Sequence, residues 1–225
     1  MYVHPCILGG HQSWTFGMAD VGCTMDPHMN TLEDEIAATA ARMVVEEGLE
    51  YALAKRRAVK QLGLNARAPL PSNNQLELAV REYIQIFCAE TQAEELTALR
   101  RLAAVWMARL AEFRPHLAGA VWRGTATRLS DIYLQLFCDD PKSAEIRLID
   151  ENVRYEVNSV HGFQGETVDA LSMVVNAAEL GQRVGLHLMI YDFDDLRGAL
   201  KLDPQGISHR GDLNALERLM SEDLA

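Results

Sequence analysis

Apolar residues recur every three to four positions from residue 31 to about residue 113, then gather into short β-branched and aromatic runs parted by turns. The first regime predicts helices. In "NTLEDEIAATAARMVVEEGLEYALAKRRAVKQLG", Ile36, Ala40, Met43, Val44 and Tyr51 share one face. Asn30 or Thr31 caps the start, Glu33 or Asp34 completes a capping box, and Gly63 follows the end. Gly48 divides the segment in two. "NARAPLPSNN" carries two prolines and reads as a connection. A further helix follows with Leu76, Val80, Tyr83, Ile84 and Phe87 as its stripe, and another opens at Thr91, with Glu94 at the capping-box position, and runs to Arg114-Pro115.

Beyond Pro115 the expected strands are "AGAVWRG", "DIYLQLF", "RYEVNSV", "VDALSMVV" and "GLHLMIYD". Helices are expected at "DPKSAEIRLIDE", around "DFDDLRGAL" and at "GDLNALERLMSEDL". The fold class is therefore α+β, with an irregular extension over 1–30, a helical domain over 31–114 and a small mixed-sheet α/β unit over 115–225.

Composition narrows the function classes. The 225 residues are 48% hydrophobic and carry a formal net charge of −11, which suits a buried core and disfavours non-specific contact with nucleic acid or an anionic membrane. No apolar run reaches the roughly 18 residues of a membrane span, so no membrane partner is expected and the cytoplasm is the expected compartment. Cys6, Cys23, Cys88 and Cys138 have no C-x-x-C spacing and read as free thiols. His4, Cys6, His11, Cys23 and His28 crowd the first thirty residues and are a possible zinc set, against the plainer reading of an irregular extension.

The candidate chemistry lies in "GAVWRGTATRLSDIYLQLFCDD", residues 119–140. A glycine turn, a polar loop and an acidic residue entering an apolar strand resemble the signature of the DNA polymerase β-type nucleotidyltransferase superfamily. That signature is hydrophobic-Gly-Ser, then Asp-x-Asp within apolar neighbours, with a third carboxylate on a later strand. Acidic residues two apart on a strand face one side and hold the metal ions that clamp an in-line displacement. The resemblance implies that Gly119 is the family glycine, Asp131 the first acid and Asp169 the third, so Asp131 and Asp169 are the expected catalytic and metal-binding pair. Magnesium with a nucleoside triphosphate is the implied cofactor.

Two positions depart from the pattern. Ala120 stands in place of serine, and Tyr133 in place of the second acid. A neutral phenol is a poor magnesium ligand beside carboxylate and water oxygens. Asp139 faces the same side as Asp131 but lies about 26 Å along an extended strand, too far to replace it. Around the turn, Gly119, Ala120, Arg123, Thr125 and Arg128 are the expected phosphate contacts, with Thr127 nearby. Asp192, Asp194 and Asp195 read as helix caps, and His161 and His187 as residues of a turn and a strand rim.

Three functions follow. The first is a degenerate nucleotidyltransferase-like domain that binds a nucleotide or a protein partner without two-metal catalysis. The second is an active magnesium-dependent nucleotidyltransferase running on Asp131 and Asp169. The third is a nucleic-acid-binding module using Lys55, Arg56, Arg57 and Lys60, a cluster that a helix C-terminus also attracts to its own dipole. Nucleic acid is the least expected partner. No G-x-x-x-x-G-K-[ST] loop is present to support a ligase that depends on one.

Overall fold

The computed structural model describes residues 31–163 and 165–222, so the proposed zinc donors and the extension lie outside the described residues. The chain opens on α1 (Leu32–Glu47), where the Thr31 hydroxyl accepts from the Asp34 N–H and the Asp34 carboxylate accepts from the Thr31 N–H. Gly48 ends the helix with φ +67°, and a Cβ there would lie 2.9 Å from the Leu129 carbonyl oxygen. The break is therefore also a close approach between the helices and the sheet unit. Next come α2 (Tyr51–Gln61) and α3 (Asn73–Phe87), the latter held by a Ser72–Gln75 capping box. Ile36, Ala40, Ala58, Leu76 and Val80 close a core among these three helices.

The helix α4 (Gln92–Arg109) belongs elsewhere. Its Leu96, Leu99, Ala103, Trp106 and Met107 pack with sheet residues such as Leu134 and Leu188. The two hydrophobic cores thus divide near residues 88–92, not at 114, although 31–114 is largely helical. The expected Thr91–Glu94 capping box does not form. Thr91 has helical dihedrals, φ −114° and ψ −26°, and its side chain makes no cap bond, because the preceding turn feeds directly into the helix.

The sheet contains β1 (His116–Ala118), β2 (Ile132–Cys138), β3 (Glu156–His161), β4 (Thr167–Ala177), β5 (Gln182–Asp192) and β6 (Arg210–Gly211). Their order is β3-β4-β5-β2-β1-β6, with β2 and β5 parallel and the other pairs antiparallel. The remaining helices are α5 (Gly119–Arg123), α6 (Lys142–Asp150), α7 (Leu196–Ala199) and α8 (Leu213–Glu222). The strand expected over 118–124 is corrected: it ends at Ala118, and Gly119 at φ +72° turns the chain into α5. The β-branched and aromatic composition of that run is overridden by the glycines at its two ends.

Strand alternation gives the sheet two unlike faces. Ile132, Leu134 and Leu136 face the core closed by α4, α6 and α8. Tyr133, Gln135 and Phe137 face the other way, and on that side the end around Phe137, Val168 and Tyr191 is closed over, while Tyr133, Ser172 and His187 are partly exposed.

Candidate functional site

Cross-strand register builds a polar row on the partly open face. Tyr133 pairs with His187, His187 with Ser172, and Ser172 with Glu156. Directly paired residues point to the same side, so these side chains meet without any loop to arrange them. The Tyr133 and His187 rings stack with centroids 4.8 Å apart.

Asp131 enters the row from the residue before β2. Its Oδ1 accepts from the Gly185 N–H at 3.0 Å, and its Oδ2 lies 3.2 Å from His187 Nε2. A Cβ on Gly185 would stand 2.4 Å from Oδ1, so the glycine makes the space that the carboxylate occupies. The hydrogen bond from His187 is the main reason that the Asp131 carboxyl is held below its ordinary pKa; burial opposes it, and the Gly185 amide adds to it. On the other side of the ring, His187 Nδ1 lies 2.9 Å from Ser172 Oγ, and Asn158 Nδ2 approaches that hydroxyl at 3.4 Å.

The Tyr133 hydroxyl is bonded to Glu50, just before α2. Burial and then that carboxylate push the phenol pKa well up, so Tyr133 stays a neutral donor. Its ring also lies against Gly119, where a Cβ would come within 3.3 Å of Cδ2.

The expected pairing of Asp131 with Asp169 is corrected by the register. Leu171 pairs with Leu188, and Leu188 with Leu134, so Asp169, two residues from Leu171, faces the α4 side, opposite to Tyr133 and Asp131. The residue of β4 level with Gly185 and Asp131 is Val174. Asp169 lies five residues from it, about 17 Å along the strand. A magnesium site shared by Asp131 and Asp169 does not fit this arrangement. Among the described residues, no group of three or more His, Cys, Asp or Glu side chains is placed to hold a metal.

The expected phosphate contacts are also divided. Gly119 and Ala120 open α5 beside Tyr133. Arg123 Nε lies 2.9 Å from Glu77 Oε2, an ion pair whose N–H is not aligned as a hydrogen bond, and Thr125 Oγ1 donates to Glu77 Oε1 at 3.1 Å. Both side chains are thus turned to α3, where Tyr51 also bonds Glu77. Arg128 lies apart, its guanidinium 3.1 Å from Gln182 and its amide bonded to Glu95.

The other candidates resolve into structural roles. Lys55 is buried and donates to the Pro71 carbonyl and Asn73, while Arg57 pairs with Glu47 at 2.7 Å. The Asp192 carboxylate accepts from the Asp194 N–H as a cap. His161 ends β3 and Gly162 begins the turn to β4, donating its N–H to the Glu166 carbonyl. The Asp131–His187–Ser172 row was missed in the sequence because its members are far apart in the chain. The alternation around His187 gave its face but not its neighbours. No described helix is long and apolar enough to cross a membrane.

Compared with protein-family models, with curated proteins and with solved structures, the chain gives no match.

Proposed function

We propose that this chain is a binding protein on a nucleotidyltransferase-like core, with a nucleotide or a protein as its partner and without two-metal catalysis. The observation that carries this reading is the state of the positions around Asp131. Where the superfamily pattern needs further carboxylates, the neighbouring side chains are Tyr133, bonded to Glu50, and His187, bonded to Asp131. A phenol and an imidazole in those places add no negative charge to that of Asp131, whereas a two-magnesium clamp is built on several carboxylates. The β1–α5–β2 unit supports the likeness to the core, since its glycine turn lies directly against the strand that Asp131 enters.

The active magnesium-dependent alternative loses its second ligand, because Asp169 faces away. Against the nucleic-acid alternative stand the burial of Lys55 and the pairing of Arg57 with Glu47, which leave Arg56 and Lys60 as the exposed cations of that cluster. Calorimetric titration with ATP, GTP, CTP and UTP, with and without magnesium, tests the proposal. Heat independent of magnesium assigns a nucleotide as the ligand, and absence of heat leaves the protein partner. Heat that requires magnesium and disappears in Asp131→Ala overturns the reading in favour of a transferase.

A further inference from the structure

The row beside Asp131 has a chemistry of its own that needs no metal. An ionised carboxylate only accepts hydrogen bonds, so the 3.2 Å contact to Asp131 Oδ2 puts the imidazole proton of His187 on Nε2. Nδ1 is then an acceptor, and the Ser172 hydroxyl, 2.9 Å away, donates to it. Hydroxyl, imidazole and carboxylate stand in the order that activates a serine nucleophile. Such triads are recognised by geometry and role, not by position in the chain. Here the ring is used in the reverse sense, with Nδ1 toward the serine and Nε2 toward the carboxylate.

Three further contacts fix the row. Gly185 both donates to Asp131 and leaves room for it, Tyr133 stacks on the His187 ring, and the strand register sets Ser172 opposite His187. Ser172 and His187 are partly exposed, so a small molecule can reach the hydroxyl from the open face. Asn158, whose amide nitrogen donates to Ser172 Oγ at 3.4 Å, is a side-chain donor beside the hydroxyl that an oxyanion could use. Val174, two residues along β4 on the same face, is 57% exposed and offers an apolar rest for a short acyl chain.

We infer that Ser172, His187 and Asp131 form a metal-independent nucleophilic site for short-chain carboxylic esters. Ser172 Oγ forms a bond to the ester carbonyl carbon while its proton passes to His187 Nδ1. Asp131 stabilises the resulting imidazolium through Nε2–H. The tetrahedral adduct breaks its bond to the alkoxide, which takes the Nδ1 proton and departs as the alcohol. Water then attacks the acyl-serine, gives a proton to Nδ1, and expels Ser172, which recovers that proton as the carboxylic acid leaves. The inference is independent of the nucleotide-binding reading, because neither phosphate nor magnesium enters it.

The test uses a fluorophosphonate, which forms a phosphorus–oxygen bond to an activated serine and releases fluoride. Incubation of the full chain, followed by peptide mass spectrometry, is expected to place the adduct on Ser172. Labelling is expected to fall at least tenfold in His187→Gln and in Asp131→Asn, with circular dichroism confirming that the variant read is folded. Asp131→Asn keeps the comparison available if the imidazole is needed for folding. No adduct on Ser172 in the native chain overturns the inference, and so does labelling undiminished in a folded variant.

Discussion

Gly185 and Asp131 occupy complementary space: the glycine N–H reaches the carboxylate at 3.0 Å, and any Cβ on that glycine would fall 2.4 Å from the same oxygen. Gly185→Ala therefore displaces Asp131 from its donor. The expected cost is about 1.5–3 kcal/mol, the range of a hydrogen bond to a charged group. In an Asp131→Ala background most of that cost should vanish, because the colliding group is gone. Urea unfolding of the two single variants and the double variant measures the coupling; additive losses would contradict it.

His187 sets the ionisation of Asp131. Because its folded pKa is depressed, the contribution of Asp131 to stability is present above the unfolded value, about 3.9, and is lost as pH falls through the folded value. In His187→Gln, the titration of the Asp131 carboxyl carbon followed by NMR should move upward toward that unfolded value, and the loss of stability on acidification should become shallower, because Asp131 then binds its proton nearly alike in both states.

Glu77 holds the helical core to the sheet unit. Its carboxylate, 13% exposed, receives Tyr51 and Thr125 and pairs with Arg123. Burial and this carboxylate raise the Tyr51 phenol pKa, so it remains a donor. Glu77→Ala strands the Arg123 guanidinium and is expected to destabilise by about 2–4 kcal/mol, somewhat below the loss for a fully buried pair. Limited proteolysis should then cut within 62–72, between α2 and α3, faster than in the native chain.

Tyr133→Asp places a second carboxylate two residues from Asp131, on the same face. Without cation, repulsion from Asp131 and Glu50 should lower the melting temperature. Magnesium should restore part of the loss in this variant, since a ligand at ten times its Kd stabilises by about 1.4 kcal/mol. The native chain should show no comparable rise.

Much of the architecture was legible because periodicity and caps act locally. The Thr31–Asp34 box, the Gly48 break and the strands containing Leu134, Leu171 and Leu188 follow from residues within a few positions of each other. What was not legible depended on pairing between distant strands. Nothing near Asp169 in the chain says that β4 turns it away from Asp131, because register is set by how the whole strand buries its apolar side. Nor does the composition of 118–124 reveal that Gly119 and Gly124, both at positive φ, convert an apparent strand into a helical turn. Arg123 and Thr125 looked free for phosphate because their partner, Glu77, lies more than forty residues earlier.

Asp131 is engaged by Gly185 and His187, and the proposed function leaves it without a divalent cation. Manganese added to the full chain with ATP, at equimolar concentration, reports on this through paramagnetic broadening of backbone amide signals. Signals of Gly185 and His187 that keep their intensity while Asp131→Asn shifts them are the predicted result. Their selective loss in the native chain would contradict it.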